Sequence, residues 1–116
     1  MIQNTIIKRS SYLAISLFTL MSINLQAAPF DWDGLEKQKI DLKLPLLTVQ
    51  GEKGLLACAY VDVGTCEKTG EACAIVSGVK THDDMLSRPV VALSSAAEAL
   101  GVTKGMSGAE ALALLR

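Results

Sequence analysis

The chain has few of the residues that dominate nucleic-acid recognition and redox chemistry. Aromatic side chains make up 4% of its 116 residues, and it contains three cysteines and a single histidine. The 11 lysines and arginines nearly balance the 12 aspartates and glutamates, and neither sign dominates a long segment. A nucleic-acid-binding domain typically shows a basic stripe and stacking aromatic rings. The composition therefore argues against a nucleic-acid partner.

Long apolar runs are also missing, with one exception at the start of the chain. Residues 12–25 follow the basic pair Lys8 and Arg9 and lead to the small residues Ala27 and Ala28. This order is typical of a secretory signal, here cleaved between the two alanines. The run contains polar residues and is shorter than the roughly 20 residues of a spanning helix, although a retained N-terminal anchor is the alternative. The sequence predicts an exported protein, periplasmic or secreted, with no stable membrane span after cleavage.

The signal divides the chain into three parts. We expect residues 1–27 to be the signal peptide, residues 28–39 to be a polar lead-in segment and residues 40–116 to form one domain. Without Lys8 and Arg9, 9 basic side chains remain against 12 acidic ones, which gives a net charge of −3. A domain this small buries a modest fraction of its surface, so a disulfide or oligomerisation is a natural supplement to its core.

The strand patterns indicate a small sheet. Ile40, Leu42 and Leu44 alternate with charged residues, which predicts a half-buried strand. Residues 46–49 and 55–61 are apolar runs on either side of a glycine-bounded turn, which predicts a β-hairpin. Two further short strands are predicted, at residues 72–79 and 90–93.

Helix-start signals follow two of these strands. Asp62 is suited to cap a helix that ends at Gly70, since glycine readily adopts the left-handed conformation found beyond helix ends. Thr81 and Asp84 have the spacing of a capping box, and the helix after them must stop before Pro89.

The C-terminal part contains a near-repeat of the same signal. Ser95 with Glu98, and Ser107 with Glu110, each precede a short run rich in alanine and leucine. Each pair has capping-box spacing, which predicts two short helices. The predicted fold is α+β (mixed α/β): an N-terminal β-hairpin extended into a small sheet, covered by two or three short C-terminal helices.

The three cysteines do not match a known metal or redox motif. Cys58 lies within an apolar run and is interpreted as a small core residue. Cys66 and Cys73 flank a polar turn, and the sequence leaves open whether they are bridged or free. A bridge would contribute about 2–3 kcal/mol on the chain-entropy model. The spacing is not Cys-x-x-Cys, so thioredoxin-like, zinc-ribbon and haem-attachment interpretations lack their signature.

The strongest candidate site combines Asp62 with Thr81, His82, Asp83 and Asp84. Because ligands favour the carboxyl ends of strands in α/β sheets, these residues could form a small polar pocket, with Asp62, Thr81, Asp83 and Asp84 as catalytic candidates. The structural alternative is that they cap helices and complement the helix dipole. Neighbouring helical positions point in different directions, so the sequence predicts no metal site here. No phosphate-loop, nucleophile or cofactor motif is present, and no cofactor is expected.

A series of short motifs occurs in an order that matches a known family. The motifs are Gly51-Glu52-Lys53-Gly54, Asp62-Val63, residues 74–81 with Asp83-Asp84, Pro89, Leu100-Gly101-Val102, and Gly105-Met106 with Gly108, Ala111 and Leu112. Over residues 44–114 the chain resembles the YunC-like family, domain of unknown function 1805. The resemblance implies a small mixed α/β domain whose N-terminal β region supports a homotetramer. It implies no established activity, so it assigns no catalytic residues.

Three functional hypotheses follow. The favoured one is an exported oligomeric domain without catalytic activity, acting as a structural or small-ligand-binding module. The alternative is a small hydrolytic enzyme that uses the polar pocket around Asp62, Thr81, Asp83 and Asp84. The third is a thiol redox protein that uses Cys66 and Cys73.

Overall fold

Five strands form one mixed sheet in the computed structural model, which describes residues 29–116. The predicted signal peptide, with its cleavage site at Ala27 and Ala28, lies outside the described residues. The strands are β1 (Glu36–Ile40), β2 (Leu46–Gln50), β3 (Leu55–Cys58), β4 (Cys73–Val76) and β5 (Ala92–Leu93). The helices are α1 (Val63–Thr69), α2 (His82–Ser87), α3 (Ser95–Ala99) and α4 (Gly108–Leu115).

The strands follow the order of the chain, β1-β2-β3-β4-β5, and only the β3–β4 pair is parallel. The predicted hairpin is confirmed by the pairing of β2 with β3, in which Gln50 lies opposite Leu55. The Gly51 N–H donates to the Gly54 carbonyl at 2.8 Å and closes the turn. The α+β class is confirmed as well, since the four helices pack on a mixed sheet.

The N-terminal strand differs from its prediction. The first four residues of β1 lie in the segment expected to be a lead-in, and Ile40 is the only residue of the predicted alternating strand that belongs to β1. Leu42 and Leu44 lie in a bend between β1 and β2. The predicted strand over residues 41–44 is therefore wrong, because alternation alone does not supply a pairing partner, and Leu42 and Leu44 stay 50% and 52% exposed. The strand predicted for residues 55–61 ends early, at Cys58, because residues 59–60 form a turn.

The two faces of the sheet are covered by different helices. Cys73 of β4 is joined to Cys66 of α1, so α1 lies on the face of Cys73. Leu56 belongs to the opposite face, because side chains alternate along a strand and Leu56 pairs with Ala74, the residue after Cys73. Leu56 packs close to Gly108 at the start of α4. All four residues of β4 are buried, so the core is centred on the parallel pair.

The helix caps follow the local sequence in most places. The Asp62 cap and the left-handed Gly70 (φ 77°) are confirmed at α1, and so is the capping box of Thr81 and Asp84 at α2. The box predicted for Ser107 is confirmed at α4.

The box predicted for Ser95 and Glu98 is wrong, since Ser94 caps α3 by accepting the Ala97 N–H and Ser95 is already helical. Ser94 is fully buried, and its hydroxyl donates to the Glu71 carbonyl at 2.6 Å while accepting the Cys73 N–H at 3.0 Å. Tertiary contacts therefore select Ser94 over its neighbour. The Ser95 N–H is bound instead by Glu67 at 2.9 Å, and hydrogen bonds from the Ser95 hydroxyl and N–H lower the pKa of that carboxyl.

Candidate functional site

Asp62 binds the first turn of α1. Its Oδ1 accepts the Gly64 N–H at 3.0 Å, and its Oδ2 accepts the Thr65 hydroxyl at 3.1 Å. Both carboxylate oxygens are thus used in capping the helix. Asp62 also lines a cleft of about 460 Å³ between α1 and the β2–β3 turn, which we call the α1 cleft.

Thr81 and Asp84 hold the start of α2 in a reciprocal arrangement. The Thr81 hydroxyl accepts the Asp84 N–H at 3.1 Å, while Asp84 Oδ2 accepts the N–H groups of Lys80 at 3.0 Å and of Thr81 at 3.2 Å. The hydrogen bond from Lys80 is the largest cause that lowers the pKa of Asp84 below its usual value. Partial burial raises this pKa, and the Thr81 hydrogen bonds and the charge of Arg88 lower it further. The carboxylate is therefore stabilised in its charged, capping form.

His82 faces the hairpin that β1 and β2 form, which we call the β1–β2 hairpin. Its Nε2 atom lies 3.0 Å from the Gln38 carbonyl oxygen and 3.2 Å from the Thr48 carbonyl oxygen. Because a carbonyl oxygen only accepts hydrogen bonds, Nε2 bears the proton, and its N–H donates to the carbonyls of both strands. The Trp32 ring packs edge-on against the imidazole with centroids 6.4 Å apart, and Lys37 lies 4.5 Å above the Trp32 ring. The histidine therefore joins α2 to β1 and β2.

The predicted site residues fall into separate places. Asp84 lines an open cleft of about 480 Å³ with Lys80 and Arg88, whereas Asp62 lines the α1 cleft. Asp83 is exposed on α2. The structure thus brings Thr81 and Asp84 together, and it places Asp62 in the lining of a different cleft. Among residues 29–116, no three histidine, cysteine or acidic side chains are grouped as metal ligands would be.

The cysteines divide into one bridge and one free thiol. Cys66 and Cys73 form a disulfide with a Cα–Cα distance of 6.2 Å, and both residues are buried. Cys58 is free and buried in the core, as the apolar run around it indicates, and its sulfur accepts the Leu47 N–H at 3.3 Å. The burial of both bridged residues suits a structural disulfide, because exchange requires access to a sulfur atom.

A third cleft was not found by sequence reasoning. It measures about 270 Å³ and lies at the carboxyl ends of the parallel strands β3 and β4, so we call it the β3–β4 cleft. Leu44, Cys58, Tyr60 and Val79 are among its lining residues, and its walls are mostly apolar. Ligands favour this edge of parallel strands. The signal available in the sequence was Tyr60, an aromatic residue two positions after the end of β3.

These features define a small α+β domain with a mixed sheet, an internal disulfide and an apolar cleft at the edge of its parallel strands. The family described as "Domain of unknown function (DUF1805)" matches residues 57–115 of the chain. The chain belongs to this family, which confirms the resemblance seen in the sequence. The matched region begins within β3 and extends through α4.

Two similar proteins show how far this likeness extends. The uncharacterised protein YunC of Bacillus subtilis (strain 168) is 31% identical over 103 residues, which covers 83% of this chain and 95% of YunC. The crystal structure of TA1206, a protein of unknown function from Thermoplasma acidophilum, matches with a TM-score of 0.62 and 30% identity. That match covers 71% of this chain and 93% of TA1206. Neither relative has an assigned activity in its description.

Proposed function

We propose that this protein is an exported, homo-oligomeric domain that acts as a structural or small-ligand-binding module rather than as an enzyme. The observation that supports self-association is a surface of large apolar side chains around the β1–β2 bend. We call it the apolar loop surface, and it consists of Ile40, Leu42, Leu44 and Tyr60. Tetramerisation is the state implied by the family resemblance.

The apolar loop surface is open to solvent in the single chain. Ile40 is 56% exposed, and Leu42, Leu44 and Tyr60 are each 50–52% exposed. Leu44 and Tyr60 line the same cleft, and Ile40 and Leu42 precede Leu44 within four positions of the chain. Contiguous exposed apolar surface on a small domain marks an interaction site.

β1 gives a second reason to expect a neighbouring subunit. All five of its side chains are exposed, and it forms one edge of the sheet. A strand that buries nothing adds little to the stability of a monomer, since a hairpin without a covered face is marginal in water. A second copy placed against this hairpin would give β1 a cover.

Export is supported by the N-terminal pattern and by the disulfide. Residues 1–27 have the order of charges, apolar residues and small residues that signal peptidases recognise. The bridge between Cys66 and Cys73 suits an oxidising compartment, such as the periplasm or the extracellular medium. Within residues 29–116, no helix has the length and hydropathy to cross a bilayer.

Small-ligand binding is supported by the position of the β3–β4 cleft. The cleft shares Leu44 and Tyr60 with the apolar loop surface, so a ligand bound there would lie beside the proposed subunit interface.

The hydrolytic alternative gains no support from the geometry, because Asp62, Thr81 and Asp84 are engaged in helix capping. Replacing Asp62 and Asp83 together by asparagine checks it: an unchanged ligand-binding and thermal-shift profile would rule out the acidic pocket.

Native mass spectrometry of the protein isolated unreduced from the cell envelope tests the proposal directly. We expect a mature chain that begins at Ala28, an intact disulfide and a mass of several subunits.

In a second experiment, the variants Leu42→Asp and Val91→Asp are compared by light scattering. Val91 is the matched control, because it is an exposed apolar residue next to β5 at the other edge of the sheet. We expect Leu42→Asp alone to reduce the subunit number, and a wild-type monomer at micromolar concentration would overturn the proposal.

A further inference from the structure

We propose that the protein binds a small monocarboxylate with an apolar body, in two adjoining clefts at the carboxyl end of β4. The apolar body occupies the β3–β4 cleft. The carboxylate binds Arg88 in the open cleft that Lys80 and Asp84 also line, which we call the Arg88 cleft. This inference rests on the ligand-binding part of the proposed function and specifies the chemical class of the ligand.

The loop after β4 forms a wall of both clefts. β4 ends at Val76, and Gly78 lines each of the two clefts. On either side of this shared position, Val79 lines the apolar cleft and Lys80 lines the charged one. Because glycine has no side chain, Gly78 places only backbone between the clefts. A ligand with one apolar end and one charged end can therefore contact both of them.

The β3–β4 cleft suits a short hydrocarbon or an aromatic ring. Its volume is about 270 Å³, and its mostly apolar lining includes Leu44, Tyr60 and Val79. A dry cavity of about 150 Å³ in another protein accommodates benzene. The cleft therefore has room for an apolar body of about six to ten carbon atoms. The Cys58 sulfur in its lining already accepts the Leu47 N–H, so it offers a ligand little polarity.

Arg88 supplies the anchor for the carboxylate. Its Nη2 atom donates a long hydrogen bond of 3.4 Å to the Gly78 carbonyl, so the guanidinium lies beside the residue that the two clefts share. No carboxylate of residues 29–116 lies within ion-pair distance of this guanidinium. Most of its five N–H groups therefore remain for a ligand, and their planar arrangement matches the two oxygens of a carboxylate.

The charge balance of the Arg88 cleft favours a ligand with a single negative charge. The charged residues of its lining are Lys80, Asp84 and Arg88, two positive and one negative, which leaves one positive charge in excess. Asp84 keeps its charge at neutral pH, because the hydrogen bond from the Lys80 N–H holds the pKa of this carboxyl below its usual value. A monocarboxylate neutralises the excess charge, whereas a phosphate dianion would leave a negative charge near Asp84.

NMR titrations of the wild-type protein with octanoate, 1-octanol and acetate test the two halves of the ligand separately. We expect octanoate to shift the amides of Tyr60 and Val79 together with the side-chain Nε–H of Arg88. 1-Octanol has the same apolar body without the charge, so its dissociation constant should be at least about tenfold higher. Acetate should leave the β3–β4 cleft unchanged. From butanoate to octanoate, affinity should rise by up to about fourfold for each added CH₂ group.

Variants of Arg88 separate binding from a structural effect. Arg88→Gln should weaken octanoate binding at least about tenfold and leave 1-octanol binding unchanged, which would show that the apolar cleft is intact. Arg88→Lys keeps the charge and should lose less affinity than Arg88→Gln. Lys104→Gln is the matched control, since Lys104 is an exposed cation in the turn before α4 and lines neither cleft. It should bind both probes like the wild-type protein.

The outcomes separate this inference from the proposed function. If 1-octanol binds as tightly as octanoate, or if Arg88→Gln binds octanoate like the wild-type protein, the carboxylate assignment is wrong while the ligand-binding module stands. Tighter binding of octyl phosphate than of octanoate would overturn the preference for a single charge. A wild-type protein that binds none of these probes overturns the inference as a whole, and its subunit number then still decides the proposed oligomeric module.

Discussion

Cys66 and Cys73 join α1 to β4 through a disulfide, and Cys66 is the single buried side chain of α1. The helix has seven residues, which is well below the length at which isolated helices are stable in water. Its position on the sheet therefore depends on the bridge, together with the Asp62 cap. A hydrogen bond from the Ser95 N–H of α3 to Glu67 of α1 lies at the surface.

Removing the bridge should destabilise the domain. For the double variant Cys66→Ala/Cys73→Ala we expect the free energy of unfolding to fall by about 2–3 kcal/mol, since a short closed loop is released in the unfolded chain. Urea unfolding measures this change. Reductant should lower the stability of the wild-type protein by a similar amount and leave the double variant unaffected. A loss below about 0.5 kcal/mol would show that the helix is held by other contacts.

Asp84 should make the stability depend on pH. The Lys80 N–H is the main group that holds the pKa of Asp84 below its usual value in the folded protein. The stabilisation is therefore fully present above the pKa of an unfolded aspartate, and it is lost as the pH falls through the lower folded-state pKa.

Thermal melts from neutral pH down to strongly acidic pH should reveal this loss. The difference in Tm between the wild-type protein and Asp84→Asn should be largest near neutral pH and should shrink in acid. Asp83→Asn is the matched control, because the capping hydrogen bonds go to Asp84. A difference that stays constant over the whole range would contradict the assignment.

His82 should control the local stability of the β1–β2 hairpin. In His82→Ala the hydrogen bonds to the Gln38 and Thr48 carbonyls are lost, which should cost about 1 kcal/mol. We expect faster amide exchange in β1 and β2, with the amides of β4 as the internal reference. An equal increase in all three strands would indicate global destabilisation instead.

Gly108 should not tolerate a side chain. A Cβ at this position would overlap the carbonyl oxygen of Met85, and it would also lie close to Leu56. Gly108→Ala should therefore destabilise the domain by about 1–3 kcal/mol or more, measured by urea unfolding. Gly64→Ala is the control, because the nearest atom there belongs to the exposed Asp62 side chain and alanine favours a helix. Equal losses in the two variants would disprove the steric explanation.

The sequence predicted the capping role of individual site residues, and it did not predict which of them lie close together in the fold. The capping roles of Asp62, Thr81 and Asp84 follow from spacings of a few residues, and the structure shows them. Whether Asp62 lies beside Asp84 depends on how two helices pack on the sheet, which short spacings do not specify. The contacts of His82 with Gln38 and Thr48 join residues more than 30 positions apart, so no local pattern indicated them.

The sequence by itself determined the hairpin of β2 and β3, the starts of three helices, the α+β class and the family. Each of the local features depends on hydrogen bonds or apolar spacing within about four residues. Only the tertiary structure decided that β1 lies at residues 36–40, that Ser94 rather than Ser95 caps α3, and that Cys66 is bonded to Cys73. The physical reason is that strand pairing, burial and a disulfide depend on which distant segments meet, and that is set by packing of the whole domain.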